Sequence, residues 1–405
     1  MEADAVTDAL ETHAPGALLL AVGGAEPEVL ARGVPADVKA HPRAAEARTV
    51  ALTERVVLPA LVNAHAHLDL THIGPRPFDR SAGFVPWVNI IRRERASEDA
   101  AIVRSVRRGI EMSRMGGVAI VGDISGVGSL VPARELANSS LRGVSFIEFF
   151  GVGRSQDRTI EAMRRATDED LGNPRVRLGL QPHAPYSAAL GVYRAAVALA
   201  AGMPIATHLG ETPEEVAFVR YAAGPLRELL ERIGEWDDTI LHEIGHHDTP
   251  IAYLAPVLGA GSVVAAHVNH ATDADLHILQ RSGTTVAYCP RCSAYFGREL
   301  DFGPHRYREM IERGINVTLG TDSIVNLPAG TARLSVLDEM ALLHARDRTD
   351  VRTLLAMATV NGARALGIDE GLCSFQTGPV AGVIAIPGRT MTEAIQRAGQ
   401  VEWIA

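Results

Sequence analysis

From about residue 57 onward, short solid runs of apolar and β-branched residues alternate with longer stretches whose apolar positions recur every three or four. The first kind reads as buried strand and the second as amphipathic helix, and their alternation predicts parallel βαβ units. The strand runs are VVLPALVNAH (56–65), VAIVGDI (118–124), VSFIEFF (144–150) and VRLGLQPH (176–183). PIATHL (204–209), SVVAAH (262–267), TTVAYCP (284–290) and NVTLGTD (316–322) follow. Helical spacing covers 98–115, 188–201, 273–283 and 304–314, with further helices at 333–345 and 350–364. Several end at Gly, the usual C-terminal stop. Eight strands with seven connections predict an α/β fold, a (β/α)8 TIM-type barrel over 57–366. The flanks, 1–56 and 367–405, hold β-like pieces such as LLLAV (18–22), RTVAL (48–52), GVIAIPG (382–388) and VEWIA (401–405). They are too short to fold alone and are expected to pair into one small β unit.

In such a barrel, functional groups sit where strands end. The first run ends in Asn63-Ala64-His65-Ala66-His67, the fourth in His183-Ala184-Pro185-Tyr186 and the fifth in Thr207-His208-Leu209-Gly210-Glu211. The sixth ends in His267 and the eighth in Thr321-Asp322-Ser323. Taken singly, each has an ordinary reading: a His-x-His pair decorates a surface, His208 is a hydrogen-bonded core histidine, Asp322 caps a helix. Together they put titratable groups from five strands on one rim. Residues two apart on a strand point the same way, so His65 and His67 can reach one ion. Neutral imidazoles with one carboxylate suit Zn²⁺ or Fe²⁺ and fit Mg²⁺ or Ca²⁺ poorly.

Composition narrows the setting. The 405 residues carry 39 Lys+Arg against 48 Asp+Glu, a formal net charge of −9, with no basic run, so nucleic acid and anionic membrane are poor partners. Cys289, Cys292 and Cys373 cannot build a secreted disulfide framework, and the acidic start lacks the charge pattern of a secretory signal. No apolar stretch reaches the ~20 residues that span a bilayer. A cytoplasmic enzyme acting on a small molecule is expected.

The motifs PALVNAHAHLDL, ATHLGE, AAHVNH and LGTDS, in this order, resemble the amidohydrolase superfamily. More narrowly they resemble the branch of atrazine chlorohydrolase, cytosine and guanine deaminases, and the methylthioadenosine/S-adenosylhomocysteine and aminofutalosine deaminases. The resemblance runs over roughly residues 55–370. It implies one divalent transition metal, zinc or iron, held by His65, His67, His208 and Asp322. It makes Glu211 the proton shuttle, His267 the polarising histidine, Asp322 a proton acceptor and His183 a substrate-side group. It admits a homodimer. The first motif departs from the usual pattern, with Ala60 for Gly and Ala66 for Thr or Ser, both still small. No lysine ends the fourth strand to bridge a second metal. HAPYS, VGDIS and TPIAYL resemble the nucleoside-deaminase side, which implies hydrolytic deamination of a 6-aminopurine nucleoside. A pyrimidine, guanine or triazine ring is the enzymatic alternative, and a non-catalytic scaffold is the other class. Tyr186 and Trp87, the latter in the loop after the first strand, are candidate walls for the base. Arg154 and Arg291, each following a strand, are candidates for a substrate carboxylate.

Two other motifs are read as coincidence or support. His242-Glu243-Ile244-Gly245-His246 spells H-E-x-x-H, which binds zinc only on a continuous helix, and Gly245 sits inside it. Cys289-Pro290-Arg291-Cys292 spells a redox C-x-x-C, but at the end of the seventh strand it is expected to underpin the rim.

Overall fold

A computed structural model describes residues 1–397 and 399–405. Its packing divides the chain into two units, one of Met1–Ala64, Glu111–Val121 and Ala332–Ala405, the other of His65–Ile110 and Gly122–Thr331.

One eight-stranded sheet is a barrel whose strands pair in chain order. They are Leu61–Ala66, Val118–Ser125, Arg142–Phe149, Val176–Pro182, Ile205–Leu209, Val263–His267, Thr285–Tyr288 and Val317–Leu319. Register is parallel, as in Ile205–Leu209 set residue for residue on Val263–His267. Val118–Ser125 is buried at every position, as expected of a parallel strand covered on both faces. The ring comes together where Ala66 bridges Asp322 and the Asp322 N–H donates to the His65 carbonyl at 3.0 Å. That approach needs glycine at 320. A Cβ there would meet the His65 Cβ at 2.8 Å and the Cys289 sulfur at 2.9 Å.

The other sheet gathers both chain ends. Its order is Gly378–Pro379, Glu28–Gly33, Gly16–Ala21, Glu2–Thr7, Ala51–Pro59, Val383–Pro387 and Glu402–Trp403. Val6, Leu18, Val57, Phe375 and Val383 form its core.

Three expectations need correction. The run 56–65 is not one strand. Ala51–Pro59 belongs to the terminal sheet, and Leu61–Ala66 to the barrel. Pro59 has no N–H to continue a ladder, and the N–H of Ala60 turns to the Gly382 carbonyl at 2.9 Å. The helix placed at 350–364 breaks at Thr359 (φ −135°, ψ −97°) into Val351–Ala358 and Val360–Ala365. Trp87 lies on a helix, Phe84–Glu94, not in a loop.

Candidate active site

Five side chains from four strand ends meet at one point. Nε2 of His65 and of His67 stand 3.4 and 3.3 Å from Asp322 Oδ1, and His67 Nε2 stands 3.3 Å from His208 Nε2. Ligand atoms of His65, His208, His267 and Asp322 all lie within 4.8 Å of one another. His267 therefore stands among the possible ligand atoms, beside the set expected from the sequence. Asp322 (φ 55°) and His267 (φ 72°) adopt left-handed backbone that side chains rarely take, and surrounding bonds hold them there. Asn326 Nδ2 donates to Asp322 Oδ2, and His305 Nε2 donates to the His267 carbonyl at 2.8 Å.

The donor set fits a divalent metal ion. Burial holds His65 below the usual imidazole range, His208 well below it, and pushes His267 down to about 3, so all three are neutral donors. Burial works against charge on His67 too, but Asp322 beside it outweighs burial and raises it. The neighbouring imidazoles hold Asp322 ionised against the cost of its burial. His208 Nδ1–H donates to the His183 carbonyl at 3.1 Å, which turns Nε2 and its lone pair to the centre. Nε2 of His65, which faces the cluster, is buried with no hydrogen-bond partner. An orphaned buried imidazole nitrogen at a cluster of this kind is what an ion would satisfy.

Around the centre lie the acids and bases. Glu211 Oε1 is 3.9 Å from His267 Nε2, and burial raises its carboxyl to about 8. Glu215 anchors this turn, accepting from the N–H groups of Gly210 (3.0 Å) and Glu211 (2.7 Å). A buried ion network follows. Arg95 donates from Nε to Asp69 at 2.9 Å and from Nη1 to Glu148 at 3.1 Å, while Glu148 Oε1 stands 3.8 Å from His183 Nε2. Burial opposes the Arg95 charge, but these two carboxylates raise its pKa further. The Arg95 guanidinium lies against Gly126, where a Cβ would come 1.9 Å from Nη2.

The centre opens into a cavity of about 780 Å³, lined among others by His67, His183, Tyr186, His208, Glu211, His267 and Asp322, and by Trp87. Arg154 and Arg291 do not line it. Following a strand puts a residue near the rim but does not set its direction: the Arg154 side chain is 86% exposed and faces Asp237 at 3.8 Å. Arg291 sits on the helix Pro290–Phe296, whose buried face is Cys292, Ser293 and Phe296. The arginines that reach the cavity are Arg92, Arg95, Arg158 and Arg165. Sequence reading passed over Arg95, Asp69, Glu148 and Asn326. Glu148 was within reach of the strand-end rule, one residue before the third strand stops. Asp69 continues the alternation of His65 and His67.

The two remaining motifs resolve. The 3-10 turn Asp238–His242 ends at the first histidine of H-E-x-x-H and Gly245 has φ 97°, so no helix aligns the pair. Cys289 caps the helix Pro290–Phe296, and Cys292, a free buried thiol, has its sulfur within 4.8 Å of side-chain atoms of Glu211 and His267 under the rim.

A parallel barrel with this histidine–aspartate centre defines a metal-dependent hydrolase of the amidohydrolase type. The chain belongs to the Amidohydrolase family, whose model matches residues 56–401. It is 28% identical over 360 residues to the aminodeoxyfutalosine deaminase of Deinococcus radiodurans, covering 84% of this chain and 79% of that one. The Helicobacter pylori aminofutalosine deaminase in complex with methylthio-coformycin shares the fold, with a TM-score of 0.76, 19% identity and coverage of 99% and 97%. So does a zinc-bound adenosine deaminase from Xanthomonas campestris, with a TM-score of 0.72, 20% identity and coverage of 99% and 89%. No helix among the described residues is long and apolar enough to cross a membrane.

Proposed function

We propose that this protein hydrolytically deaminates a 6-aminopurine nucleoside of the aminodeoxyfutalosine, methylthioadenosine or S-adenosylhomocysteine type. The observation that carries the reading is one cavity floor holding an imidazole and carboxylate cluster with the buried carboxyl of Glu211 beside it, 3.9 Å from His267 and pushed up by burial to about 8. The names of the relatives above support the ring chemistry. His65, His67, His208 and Asp322 would hold the ion, zinc by preference for this donor set, and it supplies water made acidic enough to ionise near neutral pH.

The chain's own groups do the rest. Glu211 carries a proton and delivers it to the ring nitrogen beside the carbon bearing the amino group, neutralising charge as water adds to that carbon. His267, neutral in its buried seat, orients the attacking oxygen by hydrogen bonding. Asp322, ionised, takes the proton the water loses and returns it to the departing nitrogen. Water adds, the C–N bond breaks with its electron pair leaving on ammonia, the added hydroxyl gives its remaining proton back to Glu211, and a ring carbonyl remains. Glu148, Arg95 and His183 offer acceptor and donor groups to the sugar side, and Tyr186 and Trp87 wall the base. For substrates ending in a carboxylate, Arg92, Arg158 and Arg165 take the role first expected of Arg154 and Arg291.

The test is an ammonia-release screen of the metal-loaded protein over adenosine derivatives, pyrimidines, guanine and triazines. Turnover of a 5′-substituted adenosine to its inosine counterpart is the expected result. Turnover confined to the other rings overturns the nucleoside reading.

A further inference from the structure

The cavity is larger than a bare nucleoside needs. At about 780 Å³ it lies in the upper part of the ~300–1,000 Å³ range of small-molecule pockets. Polar groups gather around the metal-ligating cluster, Ser155, Arg158, Thr159, Arg165 and Glu235 line it further out, and helices build much of the remaining wall. Phe84, Trp87, Val88 and Ile91 stand at i, i+3, i+4 and i+7 on the helix Phe84–Glu94, and all four line the cavity. Leu226, Leu229, Leu230 and Ile233 repeat that spacing on the helix Pro225–Ile233, and all four line it as well. This spacing makes one apolar face per helix, normally turned onto protein. Here both faces border one open chamber, with Phe84, Leu226, Leu229 and Leu230 as its buried backing and Trp87, Val88, Ile91 and Ile233 at positions that solvent reaches. Val127 (63% exposed), Phe150 (39%) and Ile233 (39%) are among the few large apolar side chains left open to solvent, and all three belong to this cavity. A concentrated apolar opening of this kind marks a binding surface. Phe150 stacks on His183 at 4.4 Å between ring centres, so the chamber continues directly from the catalytic floor.

We infer that this chamber receives a bulky apolar group, aryl or long alkyl, at the 5′ position of the nucleoside, and that Leu229, Leu230 and Ile233 set this preference. The inference rests on the nucleoside reading above. A methyl group leaves most of the wall wet. An apolar tail gains about fourfold in binding for each methylene buried.

The experiment compares kcat/KM for 5′-methylthio-, 5′-butylthio- and 5′-benzylthioadenosine, alongside calorimetric Kd values for the matching inosines. Efficiency and affinity should rise from methylthio to benzylthio by tenfold or more. Ile233→Asn, at a half-open position that can be changed without disturbing the core, should lower benzylthio efficiency about tenfold. It should lower methylthio efficiency by less than threefold. A flat or inverted order, or an equal effect of Ile233→Asn on both substrates, overturns the inference. If no adenosine is deaminated the nucleoside reading fails, while the calorimetric order still judges the chamber.

Discussion

Gly126→Ala is the most informative single change outside the metal cluster. The added methyl would stand 1.9 Å from Arg95 Nη2, 2.2 Å from its Cζ and 2.6 Å from its Nε, so the guanidinium must leave its place. An arginine tip ordinarily swings aside cheaply. This one is largely buried and fixed at both ends, to Asp69 at 2.9 Å and to Glu148 at 3.1 Å. Moving it breaks two charge-assisted hydrogen bonds worth ~1.5–3 kcal/mol each and strands two buried carboxylates, where a broken buried pair costs ~3–5 kcal/mol. We expect a loss of about 3 kcal/mol, read as a lower midpoint of urea denaturation followed by circular dichroism. In an Arg95→Ala background the obstacle is gone, so the same glycine change should cost less than ~1 kcal/mol, a coupling of about 2 kcal/mol between adjacent residues. Equal losses in both backgrounds would refute the reasoning, since they would trace the effect to the backbone at 126. So would a loss below ~1 kcal/mol in the wild-type background, which would mean that the guanidinium yields freely.

Glu211→Gln should keep its metal by elemental analysis and lose about 10²–10⁴-fold in kcat. Glu211 is protonated below about 8, so wild-type kcat should fall as pH rises through that value, and a profile flat to pH 9.5 would exclude it as the acid. His208→Ala should lose most of its metal with the barrel folded; full occupancy in that variant would displace the ligand assignment. His246→Ala should change neither metal content nor turnover, because its Nε2 is spent on the Leu241 carbonyl at 2.8 Å, and metal loss there would revive the H-E-x-x-H motif.

The barrel was legible because parallel strands covered on both faces read as solid apolar runs. The same property hid a boundary. Across Ala60 the apolar run does not change character, although the strand before it belongs to the terminal sheet and the strand after it to the barrel. The helix Phe84–Glu94 escaped notice because Gly83 begins it with no capping side chain, and its apolar face serves a cavity. Strand ends gave His65, His67, His208, Glu211, His267 and Asp322, since a strand fixes both the position and the side of its residues. Loop arginines carry no such constraint. Arg154 turned outward to Asp237, while Arg158 and Arg165, on the helix that follows, reach the cavity.

The eighth strand is only three residues long, and among the described residues the bridge between Ala66 and Asp322 joins the last strand end to the first. The residue that joins the last strand to the first also presents its carboxylate to His65 and His67. Structural integrity and chemical competence thus hang on the same stitch. Even a slight parting there separates the carboxylate from its histidines while the remaining ladders and helices stand intact. Local opening of this sort takes less free energy than global unfolding. Mild heat or denaturant should therefore abolish turnover before the helical circular dichroism changes, and turnover should return on cooling without a refolding step.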